Sequence, residues 1–258
     1  MKKISFFNPK KGAGKTVSAV NIAYALVRKN KKVLLIDCDA RSAVQIYLNI
    51  EHPKNIYNLI TDNYNYSNVN IEDYITNKNG LDIIISTPFL SKLDYFFEIE
   101  NNDKQGIFYS IKNLMKYFQD YDYVIFDTEG TINNLNTAIL NTTDYIFAPT
   151  KISEIDLNGI MDIVHCYETI KKINDKLEIK EVFLIDVNQR TKIYSKSKEN
   201  LTNYLKDKNI EISEISIRHD HNIVVSMEQN KDIFSFRNSS NAAIDYRNLV
   251  DEFLESED

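Results

Sequence analysis

Glycine and proline are scarce, with six and four in 258 residues, and no Ser-rich or Pro-rich tract interrupts the chain. A flexible linker between two folding units has no place to sit, so residues 1–258 are read as a single domain, although length alone would allow two. Cysteine is scarcer. Cys38 and Cys166 stand far apart, in neither CxxC nor metal-ligand spacing, and read as two reduced, packed thiols. Long apolar runs are missing as well: none approaches the roughly 20 residues of a membrane span. The N-terminus offers two lysines and a short strand-like run in place of a long apolar segment with a cleavage site, so a cytoplasmic protein without a membrane partner is expected. There is no basic excess. A net charge of −6 argues against a surface that coats nucleic acid everywhere, while leaving room for a local patch. The four histidines form no ligand set, the tyrosines are scattered, and the Asn-rich patch from Asn63 to Asn70 reads as surface loop.

What the sequence does contain is a repeated unit of buried strand and amphipathic helix. Ile4 to Asn8 is a strand, Lys15 to Lys29 a helix, and Val33-Leu34-Leu35-Ile36-Asp37 a continuous apolar run of the kind found in buried parallel strands. Between the first strand and helix lies Asn8-Pro9-Lys10-Lys11-Gly12-Ala13-Gly14-Lys15-Thr16, a glycine-bearing turn that aims backbone N–H groups and a helix N-terminus at one point. That arrangement suits a phosphate, with Lys15 reaching β- and γ-phosphate oxygens and the Thr16 hydroxyl on Mg²⁺. The next strand ends in Asp37-Cys38-Asp39 and a later one in Tyr123-Val124-Ile125-Phe126-Asp127, an apolar run closed by a carboxylate that can hold Mg²⁺ through its water shell. In open α/β sheets ligands bind at the carboxyl edge, where all three features fall.

The alternation continues. Leu81 to Ser86, Asp144 to Pro149, Glu181 to Val187 and Ile212 to Ile217 read as strands. Ser42 to Leu48, Ile56 to Asn63, Ser91 to Phe97, Gly106 to Phe118, Asp156 to Ile173, Ser195 to Lys206 and Ala242 to Leu254 read as helices. The expected fold class is α/β: one three-layer P-loop NTPase domain, with a mainly parallel twisted sheet of about seven strands and helices on both faces.

The loop from Asn8 to Thr16, followed by Ala19-Val20-Asn21-Ile22-Ala23, resembles the deviant Walker A box (x-K-G-G-x-G-K-[ST]) of the ParA/Soj/MinD ATPases. Val33 to Asp39 resembles that family's next box, and the resemblance covers nearly the full length. Within the family the chain is most similar to the short plasmid-partition ParA proteins that lack an N-terminal helix-turn-helix. The resemblance implies an ATP/ADP and Mg²⁺ protein, a Mg-dependent ATPase, in which Lys10, Lys15, Asp37 and Asp39 carry the reaction. Lys10 would act across an ATP-dependent homodimer, and Asp39 would position the attacking water. Lys10, Lys11, Gly12, Ala13, Gly14, Lys15, Thr16 and Val17 would surround the nucleotide, Asn188 and Arg218 would lie near the adenine, and Thr16, Asp39 and Asp127 would form the metal site.

The implied partners are a second copy of the chain, nonspecific DNA, and a ParB-like centromere-binding protein that stimulates hydrolysis. Arg190, Lys192, Lys196, Lys198 and Arg218 are the candidate DNA contacts, phosphate-directed rather than base-reading. Three departures stand out. Lys11 replaces the first glycine of the Gly-Gly pair and would be strained by roughly 1 kcal/mol if that position needs a positive φ. Ala40-Arg41-Ser42 replaces Pro-Gln-Gly after Asp39, and Thr128-Glu129-Gly130 replaces x-Pro-Pro after Asp127, which together point to slow hydrolysis. The alternative function is therefore a weakly or non-hydrolysing nucleotide-dependent scaffold that positions a polar or envelope assembly. A MinD-like membrane protein is disfavoured by the acidic end Asp251 to Asp258, and a tyrosine kinase by the lack of a C-terminal tyrosine cluster.

Overall fold

The computed structural model describes residues 1–66, 68–151 and 154–257, with 154–158 as backbone alone. Eight strands form one sheet: β1 (Lys2–Phe6), β2 (Val33–Cys38), β3 (Thr76–Lys78), β4 (Leu81–Ile84), β5 (Tyr123–Thr128), β6 (Tyr145–Thr150), β7 (Glu178–Val187) and β8 (Ile217–Arg218). Their order across the sheet is β3-β4-β2-β5-β1-β6-β7-β8, and every neighbouring pair is parallel except β3 with β4. Among the described residues the α-helices are α1 (Lys15–Arg28), α2 (Ala43–Leu48), α3 (Ile56–Tyr66), α4 (Gly106–Leu114), α5 (Asn134–Leu140), α6 (Glu154–Ile170), α7 (Lys192–Lys206), α8 (His221–Glu228), α9 (Ile233–Arg237) and α10 (Asn241–Glu255).

The period-2 alternation of side chains sorts the continuous apolar strands into two buried faces. Ile4, Phe6, Leu35, Ile125, Phe147 and Phe183 join residues of α1, α2 and α8 to α10 in one core. Leu34, Ile36, Val124 and Phe126 pack under α3, α4 and α5, while Ile146, Ala148, Val182 and Leu184 pack under α6 and α7. Phe147 meets Phe6 edge-on at 5.5 Å and Phe253 of α10 at 5.1 Å, tying the last helix to the centre of the sheet. Burying one such ring contributes about 2–3 kcal/mol, and each edge contact about 1 kcal/mol more.

The structure corrects several expectations. The sheet has eight strands because Thr76–Lys78 folds back antiparallel on β4 through a turn with Asn79 and Gly80 at positive φ. Ile212 to Ile217 supplies only Ile217, the first residue of the two-residue β8, and one bridge from Ile212 to Val182. Ser91 to Phe97 is a 3₁₀ turn (Pro88–Lys92) and a π-helical turn (Tyr95–Glu100), since Pro88 and the Thr87 cap set the chain's entry. The helix from Gly106 tightens into a 3₁₀ turn at Met115–Phe118.

Asn63 is no surface loop residue: it is buried on α3, accepts a bond from the Tyr117 hydroxyl at 3.3 Å, and the helix runs on to Tyr66. Ser67 of that patch lies outside the described residues. Helices α5, α8 and α9 are short, and their start signals are single capping side chains. Asn133, Asp220 and Asp232 each accept a backbone N–H from the first turn. Asn21 of α1 then accepts the Ile233 N–H at 2.9 Å, fixing α9 to the first helix.

Candidate functional site

The carboxyl ends of β1, β5 and β2 are adjacent, and the ladder sets Phe6 opposite Asp127 and Asp127 opposite Asp37. The turn after β1 is built around Asn8, which is fully buried. Its Nδ2 donates to the Pro149 carbonyl (2.9 Å) and its Oδ1 accepts the Lys10 N–H (2.9 Å). Gly12 and Gly14 hold φ +76° and +80°, the left-handed region where a side chain is strained. Lys11 lies outside that region and is exposed, so the feared backbone strain at position 11 does not arise. Gly130, beyond β5, lies so close that a Cβ there would sit 3.1 Å from the Lys11 nitrogen. Ala13 is buried, Val17 half-buried, and Lys10 half-buried on the loop.

Lys15 opens α1 and is buried; its Nζ donates to the carbonyls of Asn8 (2.7 Å) and Lys10 (3.2 Å). Burial pulls its pKa down, against the opposing pull of Asp127 and Asp39. The Thr16 hydroxyl donates to Asp127 Oδ2 at 2.6 Å, whereas Asp127 Oδ1 is buried with no hydrogen-bond partner. Burial pushes the Asp127 carboxyl up to about 7, although the Thr16 bond and Lys15 act to lower it. A buried, unpaired carboxylate oxygen beside a hydroxyl at a helix N-terminus fits a hard cation that is bound partly through water.

Asp37 is spent on the backbone. Its Oδ1 accepts the Asp39 N–H (3.0 Å) and its Oδ2 the Val44 N–H (3.0 Å), which folds residues 39–44 into a fixed turn. Complete burial, and then the neighbouring Asp127, raises its pKa well above the carboxylate range. Asp39 sits in that turn with its carboxylate gripped by Arg41 at 2.7–3.2 Å and its carbonyl bonded by the Ser86 hydroxyl at 2.7 Å. Arg41 escapes a reading by motif because its position matters only once the turn exists. Asn136 is another residue found only in the fold: its Nδ2 bonds the Glu129 and Thr131 carbonyls (3.0 and 2.7 Å) and pins the segment after β5.

The remaining predicted residues form a second group around β7, β8 and α7. Ile185 packs against Gly14, which brings the end of β7 beside the phosphate-type loop. Asn188 is exposed, and its Oδ1 accepts the Arg190 N–H at 3.2 Å. Arg190, Lys192 and Lys196 are exposed, while Lys198 pairs with Glu214 at 3.2 Å. Arg218 is clasped by Asp245 of α10, Nη2 to Oδ1 2.7 Å and Nε to Oδ2 2.9 Å, so its charge is answered within the chain. A separate cationic groove, lined by Arg28, Phe234, Arg237 and Arg247, joins α1 to α9 and α10; its arginines are spread over the sequence and only the fold gathers them.

Comparison with known proteins places this geometry. Residues 1–179 match the AAA domain family. The chain is 27% identical over 212 residues to the sporulation initiation inhibitor protein Soj of Bacillus subtilis, covering 80% of each chain. It is 24% identical to the chromosome partitioning protein ParA of Caulobacter vibrioides, covering 80% of this chain and 77% of that one. It also matches two uncharacterized proteins of Mycobacterium tuberculosis at 26% identity, of whose length it spans 59%.

Among solved structures, apo McdA of Cyanothece superposes with TM-score 0.81 at 18% identity, covering 98% of this chain and 99% of that one. A putative plasmid partition protein of Borrelia burgdorferi, bound to AMPPNP, gives 0.78 at 24% identity, covering 100% and 99%. Among the described residues no helix is long and apolar enough to cross a membrane. The domain match and the sheet-edge loop lead to one assignment: the chain belongs to the AAA domain family, among the ParA/Soj/MinD P-loop ATPases.

Proposed function

We propose that this chain is a partition or positioning ATPase that binds ATP with Mg²⁺ in the Lys10–Thr16 loop, dimerises in that state, and hydrolyses the nucleotide slowly. The observation that carries this reading is the set Lys15, Thr16 and Asp127, which puts a buried cation, a hydroxyl and an unpaired carboxylate oxygen at one helix start. Thr16 and Asp127 would hold the metal, which supplies charge compensation for the phosphate oxygens. Phosphate oxygens take the place of the Asn8 and Lys10 carbonyls on Lys15. Gly12 and Gly14 supply the left-handed backbone of the loop, and Gly130 lets the segment after β5 lie against Lys10 and Lys11. Lys10 serves a second copy's nucleotide, and Asp39 orients the attacking water. Solved relatives of this fold carry such ligands: cobyrinic acid a,c-diamide synthase of Mycobacterium smegmatis has bound ADP and magnesium.

Dimers would retain DNA nonspecifically through Arg190, Lys192 and Lys196, with the Arg28, Arg237 and Arg247 groove as a further cationic surface. A ParB-like centromere-binding partner then stimulates turnover. Sedimentation with ATP and Mg²⁺ tests the core of the proposal: a dimer that co-sediments with DNA is expected, and a monomer without DNA retention under those conditions overturns it. Asp39→Ala should keep nucleotide binding and lose turnover. One observation favours the scaffold reading, the Arg41 grip on Asp39. Sustained ATP turnover, with or without DNA, would exclude a non-hydrolysing scaffold.

A further inference from the structure

Of the contacts around Asp39, only one can open without unfolding the turn. The backbone of Asp39 is fixed on both sides, its N–H on Asp37 Oδ1 at 3.0 Å and its carbonyl under the Ser86 hydroxyl at 2.7 Å. Its carboxylate is filled by Arg41: Nη2 to Oδ2 2.7 Å, Nε to Oδ1 3.1 Å and to Oδ2 3.2 Å, with the Arg41 N–H on Oδ1 at 2.9 Å. The Asp39 side chain is 3% exposed and that of Arg41 55% exposed. The carboxylate is therefore buried and immobile, while its cap is a long, half-solvated chain whose guanidinium can pass into water. On the facing segment Glu129 adds its field at Arg41, and Glu129 and Ala40 line the same small cavity. Both segments are places where this chain departs from the family pattern.

We propose that Arg41 is a latch on Asp39: the bidentate ion pair keeps the carboxylate from orienting water, and hydrolysis begins only after the guanidinium has moved off toward Glu129. This rests on the reading of Asp39 as the water-positioning group. A carboxylate crowded by a guanidinium and a backbone N–H is a poor acceptor for a water in line with a phosphorus. Arg41 is thus a positioning residue that sets the basal rate.

The test has one arm without nucleotide and one with it. In the apoprotein, the Arg41 Nε–H resonance should be protected from solvent exchange, and Asp39→Asn should remove that protection. An unprotected wild-type signal overturns the latch whether or not the chain binds ATP. In the turnover arm, Arg41→Gln should raise kcat about tenfold with the KM for ATP unchanged, as expected if one charge-assisted pair is no longer broken on the way to reaction. Arg41→Lys, which restores a single contact, should fall between the two. Glu129→Gln should slow the wild type and have no effect in the Arg41→Gln background. An unchanged kcat in Arg41→Gln overturns the proposal, and so does a fall, which would make Arg41 a transition-state contact. An equal Glu129→Gln effect in both backgrounds overturns the transfer to Glu129. Failure of the wild type to bind labelled ATP, with the resonance still protected, would instead sink the nucleotide reading and with it the latch, leaving only a resting Arg41–Asp39 ion pair.

Discussion

The two halves of the sheet's carboxyl edge present their polar groups in opposite ways. On the β1, β2 and β5 side the functional side chains are buried and pinned by other parts of the same site: Lys15 on two loop carbonyls, Thr16 on Asp127, Asp37 on two N–H groups. On the β7, β8 and α7 side Asn188, Arg190, Lys192 and Lys196 are solvated and Lys198 pairs with the exposed Glu214; Arg218, clasped by the buried Asp245, is the exception. A buried polar group left unpaired is costly, so burial forces each such residue into one arrangement. Exposure leaves Lys192 or Lys196 free to sample many. The first region therefore carries a defined chemistry in its resting geometry, and the second can only carry a charge pattern.

The sharpest break in that comparison is Lys15→Ala, which takes the cation out of the pinned half. Loss of its charged contacts to phosphate should weaken ATP binding by roughly 100-fold or more, measured by titration calorimetry. The loop glycines give a graded second test in thermal melts. Gly12→Ala, at positive φ but facing open space, should cost about 1 kcal/mol of stability. Gly14→Ala should cost more, because its Cβ would overlap Ile185 Cδ1 as well.

Proton linkage gives the third. With the Asp127 carboxyl at about 7 in the fold and in the ordinary carboxylate range when unfolded, the folded chain retains a proton that the unfolded chain has released. Stability without metal should therefore fall as pH rises from about 4, with the Asp127 share of the loss complete just above pH 7. Asp37 and Glu181, the latter pushed up to about 8 by burial, act in the same sense. Asp127→Asn should flatten the slope between pH 5 and pH 7 without abolishing it; an unchanged slope would show that Asp127 is not held protonated. The smallest effect is expected on the solvated side. Charge reversal at Arg190, Lys192 or Lys196 should reduce DNA retention several-fold and lower its salt slope by about 1 per lost phosphate contact, leaving ATP binding untouched.

The same contrast explains what could be read in advance. Val33 to Asp37 and Tyr123 to Asp127 are short, continuous apolar runs closed by a carboxylate, the pattern of buried parallel strands, so their place at the sheet edge could be expected from one-dimensional information. Helices α8 and α9 lacked such a signal, being short and held by Asp220 and Asp232 caps together with the long-range bond from Ile233 to Asn21. Asn63 looked like loop because its neighbours in sequence are polar, whereas its neighbours in space include Tyr117.

By itself, the sequence determined the alternation of strand and helix, the glycines that need left-handed backbone, and the residue types that meet at the loop, because these depend on local periodicity and covalent constraint. Only the tertiary structure decided that Asp37 organises the turn after β2, that Arg41 occupies Asp39, and that Arg218 is answered by Asp245. Each depends on which buried or half-buried charge finds which partner. Arg218 and Asp245, 27 residues apart, meet only through space, whereas Asp37, Asp39 and Arg41 are sequence neighbours whose pairing follows from the burial of the turn that carries them.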